Sequence, residues 1–324
     1  MALAALVAGC GGGPKSDGRF ELAFQRTVGE RTSVWVARLD GTHGRLAVRN
    51  AVLPNVAPGG KWLAYGVLGG PATAPTYYLR DVGGTTIRVG AGYGGAWAPS
   101  GDRFALAGAR GLVIVDVRSR TRRVLVRDDV CCSSSFSPDG EAVAFARNYG
   151  HGDEPRPSDV YAVRLADGRV MRLTRDRRSS DPVWGQSWIA YRRSRPGPIA
   201  ELWLMRADGG GKHVLDDGSE PSLHAATGIE PIGFSARGTR LLACLAFEFE
   251  CRPVVFDVRE GHRRVLPVRG RNELATATAI ARDGTQVLVE VGRPDDPELV
   301  VSLPTAGGAE RVLARDAAAP SWSR

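Results

Sequence analysis

Short runs of alternating apolar and polar residues fill the chain from Gly18 onward, and turn residues separate these runs. Alternation with a period of two is the signature of β-strands, whereas amphipathic helices repeat every 3.6 residues. Residues 159–174 and 201–209 are clear examples, because each contains an alternating strand and an Asp-Gly turn. The pattern predicts an all-β fold of short strands and tight turns.

One unit recurs along the chain: an aromatic or aliphatic residue, a small residue, a tight turn and an aliphatic strand. Its copies return at intervals of about 40 to 50 residues, the length of a four-stranded propeller blade. Each copy predicts a β-hairpin, because Asp-Gly and Gly-Gly supply the positive φ that tight turns need. The copies span residues 56–65, 97–106, 136–145, 234–243 and 280–289, with a shortened copy at 184–191.

The core of one copy, Phe136-Ser137-Pro138-Asp139-Gly140, resembles the repeat of the TolB-like, WD40-like (PD40) β-propeller family. The resemblance extends over residues 18–324 and implies an all-β ring of four-stranded blades. Counting the copies predicts seven blades, with six or eight as alternatives. TolB itself is similar to a six-bladed propeller preceded by a separate domain, for which this chain leaves no room. The resemblance therefore implies the fold and not a role in the Tol system.

The seventh copy is split between the two ends of the sequence. Residues 319–324 form the inner strand of the motif without its return, and residues 18–24 form a returning strand without its inner partner. Pairing these segments closes the ring and hides sheet edges that would otherwise promote aggregation. We predict one seven-bladed propeller domain over residues 18–324, closed by its N- and C-terminal strands.

Residues 1–17 are interpreted as a lipoprotein signal remnant followed by a Gly-rich tether. The run Leu6-Val7-Ala8-Gly9-Cys10 resembles the bacterial lipobox, which implies lipid attachment at Cys10. No basic residue precedes Cys10, although secretory signals begin with one, so we expect part of the signal to lie upstream. The segment predicts an extracytoplasmic protein, lipid-anchored to the bacterial cell membrane; the alternative is an apolar leader on a cytosolic protein.

The charge balance is basic, with 43 Lys and Arg against 35 Asp and Glu, a formal net charge of +8. Nearly all basic residues are arginines, and they are scattered along the repeats without forming a block. Scattered arginines are typical of solvated strand edges, so we expect no nucleic-acid partner. The expected partner is a protein or cell-wall ligand, besides the membrane reached through the lipid anchor, and the chain is expected to be a monomer.

The longest turn-rich loop, residues 148–158, joins the second and third strands of its blade and contains His151, Asp153 and Glu154. Loops on a rigid scaffold often carry binding residues, so these three side chains are candidate ligand contacts. A metal site needs more ligands than this loop offers. We therefore predict no metal and no other cofactor.

Cys244 and Cys251 are placed symmetrically about Phe247 and Glu248, so in a hairpin centred there they would face each other. A disulfide across the hairpin is consistent with a location outside the cytoplasm. Two free buried thiols are the alternative, since cysteine is often buried without being bonded.

Known catalytic signatures are missing from the sequence, including the Gly-x-Ser-x-Gly elbow and the His-Glu-x-x-His helix. We therefore predict no catalytic residues, and a binding or scaffolding module that recognises a protein or cell-envelope ligand through propeller loops. The alternative is an extracytoplasmic enzyme of the lyase or cyclase type, with its site at the channel mouth. His224, close in sequence to Glu220 and Glu230, is the histidine expected nearest that mouth.

Overall fold

The computed structural model describes residues 18–70, 74–150, 157–195, 199–219, 228–246, 251–268, 274–293 and 296–323. Regular structure in these ranges consists of 28 β-strands, without an α-helix. The described part of the chain accordingly offers no helix long and apolar enough to cross a membrane. This all-β architecture agrees with the period-two alternation of the sequence.

The strands form antiparallel sheets whose members mostly follow one another along the chain. The first sheet includes both ends of the described chain, in the order β28, β1, β2, β3. Its strands are β1 (Leu22–Val28), β2 (Arg31–Ala37), β3 (Arg45–Val48) and β28 (Ala318–Trp322). The second sheet holds β4 (Val52–Val56), β5 (Trp62–Val67), β6 (Thr76–Asp81) and β7 (Thr86–Ala91). The third holds β8 (Gly94–Trp97), β9 (Arg103–Gly108), β10 (Gly111–Asp116) and β11 (Thr121–Val126).

The later sheets repeat this arrangement. The fourth holds β12 (Val130–Phe136), β13 (Ala142–Asn148), β14 (Ser158–Arg164) and β15 (Val170–Arg172). Next come β16 (Ser179–Trp184), β17 (Ile189–Ser194), β18 (Ala200–Met205) and β19 (His213–Asp216). They are followed by β20 (Gly228–Phe234), β21 (Arg240–Ala246), β22 (Cys251–Asp257) and β23 (Arg263–Val265). The last sheet holds β24 (Leu274–Ile280), β25 (Gln286–Arg293), β26 (Asp296–Pro304) and β27 (Arg311–Arg315).

Strands β16–β19 and β20–β23 belong to one eight-stranded sheet. The two runs meet through the parallel pairing of Ala200 with Gly228, and the other pairings within them are antiparallel. Each run therefore repeats the four-stranded pattern of the other sheets.

The repeated motif forms the first hairpin of a sheet, as the turn after β12 illustrates. Asp139 Oδ1 accepts a hydrogen bond from Glu141 N at 2.9 Å, and Ser137 Oγ accepts one from Ala142 N at 2.9 Å. Gly140 has φ +74°, a left-handed conformation that glycine adopts without steric cost. The Ser-Pro-Asp-Gly sequence thus encodes the turn that returns the chain from β12 to β13.

Seven apolar clusters lie where neighbouring four-stranded units pack against each other. Phe104 packs with Leu79 between the second and third sheets, for example. Phe24 and Leu288 belong to a cluster that joins the last sheet to the first. Each large apolar side chain buried in this way contributes about 1.5–3 kcal/mol of hydrophobic stabilisation.

Strand β28 pairs antiparallel with β1, and this pairing brings the two ends of the described chain together. Leu22 lies opposite Trp322, and Ser323 N donates a hydrogen bond to Glu21 O at 2.9 Å. The first sheet thus takes its innermost strand from the opposite end of the sequence.

Candidate functional site

A cavity of about 570 Å³ lies between the first strands of five four-stranded units, and we call it the channel cavity. Strands β4, β8, β12, β16 and β20 line it, together with Pro58 in the turn after β4. Its volume falls within the range of roughly 300–1,000 Å³ that is typical of small-ligand sites.

Irregularities in the lining strands determine which side chains border the cavity. The pairing of each of β4, β12, β16 and β20 with its returning strand shifts register once. Such bulges re-aim side chains and are common near binding sites. In β16 the shift lies between Ser180 and Val183, and Asp181 there has φ +50°. The bulge is therefore a local reason why a charged residue of an inner strand borders the cavity.

Hydrogen bonds between neighbouring lining strands hold the cavity wall in place. Trp184 N donates to Ser135 Oγ at 2.9 Å, which ties β16 to β12. Asn55 Nδ2 donates to Gly95 O at 2.9 Å, and Trp97 Nε1 donates to Asn55 O at 3.0 Å. Because these groups are hydrogen-bonded to each other, the wall is ordered without a bound ligand.

Two carboxylates from different sheet units border the cavity, Asp181 on β16 and Glu230 on β20. Asp181 accepts hydrogen bonds from Ser180 Oγ at 2.8 Å and Ser133 Oγ at 3.3 Å. Arg192 Nε lies 3.6 Å from Glu230 Oε1. The Glu230 side chain is partly buried, with 43% of its surface exposed at the border of the cavity. Burial and the charge of Asp181 raise the pKa of Glu230, and Arg192 opposes that rise.

Aromatic side chains supply the apolar part of the lining. Trp97, Trp184 and Phe234 each stand at the end of an inner strand, and all three border the cavity. The cavity therefore combines carboxylates, hydroxyl groups and aromatic rings. Such a lining suits a ligand that has both a polar and an apolar part.

Several predicted site residues lie outside the described residues: Cys10, His151, Asp153, Glu154 and His224. The structure therefore leaves their roles as predictions. Among the described residues, no group of three or more His, Cys, Asp or Glu side chains is placed to hold a metal ion.

Cys244 and Cys251 are both buried and are joined by a disulfide, with their Cα atoms 5.3 Å apart. The predicted register of their hairpin is wrong, however. Cys251 lies opposite Ala246, and Cys244 lies opposite Pro253, so the two cysteines are diagonal neighbours. The observed register is displaced by two residues from the symmetric arrangement, in which Cys244 and Cys251 would be paired directly.

Replacing both Cys244 and Cys251 by alanine should lower the free energy of unfolding by about 2–3 kcal/mol, because a short covalent loop would no longer restrict the unfolded chain. Urea unfolding without reductant would measure the loss. A reducing agent should destabilise the natural protein similarly and leave the double variant unchanged. Equal unfolding midpoints for both proteins under non-reducing conditions would contradict the expectation.

Sequence reasoning missed Asp181 and Arg192 and mentioned Glu230 only as a neighbour of His224. A usable signal was present for Asp181. Three residues before the end of β4, β12 and β20 stand Leu53, Ser133 and Pro231, whereas the corresponding residue of β16 is a carboxylate. A single charge in an otherwise uncharged inner-strand position is unusual enough to mark a candidate site.

A second polar cluster lies beside the predicted ligand-binding loop. The guanidinium groups of Arg147, Arg172 and Arg177 lie 5.4–5.8 Å from the ring centre of Tyr149. Asp159 is fully buried and accepts a hydrogen bond from Arg172 at 2.5 Å. This cluster anchors the start of β14 and is a structural feature of the fourth sheet.

The comparisons found no matching family model and no curated protein with a similar sequence. Solved structures do resemble the chain. TolB from Acinetobacter baumannii has a TM-score of 0.55 at 17% identity, and the match covers 95% of this chain and 67% of that one. The β-propeller domain of the Trilobed protease from Pyrococcus furiosus, described with an open velcro topology, has a TM-score of 0.64 at 12% identity. That match covers 91% of this chain and 93% of that domain.

An oligogalacturonate lyase in complex with manganese gives a TM-score of 0.63 at 13% identity, covering 92% of this chain and 86% of the lyase. These neighbours differ in function, and their sequence identities are low, so the likeness concerns architecture. Together with the four-stranded sheets, it shows that this chain is an all-β protein with a β-propeller fold.

Proposed function

We propose that this protein is an extracytoplasmic binding protein whose ligand, a protein segment or cell-envelope component, enters the channel cavity. The observation that carries the proposal is the cavity itself: five four-stranded units contribute to its lining, and hydrogen bonds already hold its walls in place. A site that is ordered before binding loses little conformational entropy when the ligand arrives.

The architecture that we propose for this binding protein is a closed ring of seven blades. Two features support it. Seven apolar clusters join successive four-stranded units, and one of these clusters joins the last sheet to the first. The pairing of β28 with β1 supplies the first sheet with its inner strand.

The location that we propose is the outer side of the cell membrane, with a lipid on Cys10 and residues 11–17 as the tether. A diacylated cysteine would suffice, because two acyl chains anchor a protein stably where one binds only marginally. In this arrangement the propeller faces the cell envelope as a monomer, where it meets protein or cell-wall ligands.

Gly233→Trp tests the proposed function by filling the cavity. Gly233 lines it, and a Cβ built there meets only the Ile280 Cγ2 methyl, at 3.6 Å, which is an ordinary van der Waals contact, and the backbone has no positive φ that would strain a side chain. We expect the immobilised natural protein to retain at least one component of a solubilised envelope fraction. The variant should retain it about tenfold less or worse, as quantified by mass spectrometry.

Val28→Trp is the matched control, because it adds the same indole at a position that is 78% exposed. It should retain the component as the natural protein does. Equal retention by Gly233→Trp and the natural protein would place binding elsewhere and overturn the proposal.

An enzyme of the lyase type is the second candidate function, because Asp181, Glu230 and Arg192 gather side chains from two sheet units at one cavity. A carboxyl group with a raised pKa is suited to act as a general acid or base. If a retained component is chemically altered by the natural protein and not by Glu230→Gln, the enzyme function replaces the binding function.

A further inference from the structure

We propose that the channel cavity takes an organic cation, namely an alkylammonium or guanidinium group on an apolar stem, with Asp181 and Glu230 as its charge partners. This inference rests on the proposed function, because it names the class of ligand for that same cavity.

The charge of the cavity is the first support. Its described lining contains the carboxylates Asp181 and Glu230 and no lysine or arginine, and Arg192, which is not part of that lining, lies 3.6 Å from Glu230. When both carboxylates are ionised, Arg192 balances one of their two negative charges, and the other negative charge has no basic partner in the described lining. This local excess occurs in a protein with a net charge of +8. Carboxylates that lose part of their hydration in the cavity are stabilised by a nearby positive charge, and a cationic ligand group supplies one.

The hydrogen-bonding capacity of the wall is the second support. Asp181 already receives hydrogen bonds from two serine hydroxyls and retains free acceptor capacity. An ammonium group carries three donors and a guanidinium group five, with no acceptor. A cation therefore matches the acceptor capacity that Asp181 retains.

The aromatic lining is the third support. Trp97, Trp184 and Phe234 border the same cavity, where they offer apolar contact to the stem of a ligand. Aromatic faces also attract cations through the ring quadrupole, tryptophan most strongly. The cavity therefore provides contacts for both parts of an amphiphilic cation.

A divalent metal ion fits the cavity less well. The described lining supplies two carboxylates, and no metal-binding group of three or more His, Cys, Asp or Glu is present in the described part of the chain. Calcium takes six to eight oxygen ligands and magnesium demands near-ideal octahedral geometry. The organic cation is therefore the occupant that the lining favours.

The test measures binding of defined probes to the whole chain by isothermal titration calorimetry. The probes are blocked pentapeptides that are identical except for a central Lys, Arg or norleucine, together with butylammonium and Mn²⁺ alone. We expect a Lys or Arg peptide, or butylammonium, to bind, and the norleucine peptide to bind about tenfold more weakly or worse. Binding of a basic peptide alone identifies a peptide as the source of the cation, and binding of butylammonium identifies a free amine.

Asp181→Asn and Glu230→Gln should each weaken binding of the cationic probe about tenfold or more. Both variants should fold, because asparagine tolerates the positive φ of Asp181, and a neutral amide at position 230 avoids the cost of burying a charge. Glu260→Gln is the matched control, since it removes one carboxylate at a position 65% exposed, in the turn after β22. It should bind as the natural protein does.

Three results would overturn the inference: equal affinity for the norleucine and lysine peptides, variants that bind as the natural protein does, or no binding of any cationic organic probe. Binding of Mn²⁺ alone that requires Asp181 and Glu230 would also overturn it in favour of a metal site. None of these results affects the envelope retention test with Gly233→Trp, so failure of the ligand class can be told apart from failure of the proposed function.

Discussion

Trp322→Ala is expected to lower the free energy of unfolding by about 3–5 kcal/mol, the usual cost of emptying a buried aromatic site. Trp322 is 6% exposed and packs in the cluster that joins the last sheet to the first. It also lies opposite Leu22 where β28 pairs with β1. Removing the indole therefore weakens two contacts of the same strand. Chemical denaturation monitored by circular dichroism would measure the change.

Val28→Ala controls for the loss of an apolar side chain from the same sheet, because Val28 is 78% exposed and its replacement should leave stability nearly unchanged. If Trp322→Ala unfolds at the same denaturant concentration as Val28→Ala, β28 does not hold the ends of the chain together. The proposed closed ring would then lose its main support.

Asp159→Ala is expected to destabilise the fold by about 3 kcal/mol, because Thr174 Oγ1 and Arg177 N would lose their buried acceptor and the partly buried Arg172 would lose its charge partner. Asp159 is fully buried and accepts hydrogen bonds from Arg172, from Thr174 Oγ1 at 3.0 Å and from Arg177 N at 3.0 Å. The variant would leave Arg172 beside Tyr149 and Tyr161 without its carboxylate. Urea denaturation would measure the loss.

Asp167→Ala provides the comparison within the same sheet. Asp167 also pairs with an arginine, Arg164, but both side chains are about half exposed. Exposed ion pairs are screened by water and contribute little to stability, so this variant should unfold close to the natural protein. If Asp159→Ala lowers the free energy of unfolding as little as Asp167→Ala does, the burial of Asp159 does not strengthen its contribution to stability.

The repeat pattern was sufficient to predict the all-β fold and the positions of its hairpins. The motif at residues 136–145 shows why: Ser137, Asp139 and Gly140 encode their turn through contacts within five residues of each other. Local contacts of this kind are visible in a sequence, because the residues that make them are neighbours in the chain.

The channel cavity was not predictable in the same way. Asp181 and Glu230 belong to different repeats, and they border one cavity because of where the sheets pack and where bulges shift the register. Asp159 likewise occupies an ordinary polar position of an alternating strand, and its burial depends on Arg172 and Arg177 from a later segment. The diagonal placement of Cys244 and Cys251 depended on a hairpin register that symmetry alone did not determine.

The packing of the first sheet on both of its sides has a consequence for how the molecule opens. In a linear array of sheets the terminal units have one neighbour each and fray first, which is why chain ends are usually the most protease-sensitive part of a domain. Here the sheet that contains β1 and β28 packs against the second sheet on one side and the last sheet on the other. The ends of the described chain therefore lie in a sheet with two neighbours, as the interior units do, so local opening is not favoured at the ends of the described chain.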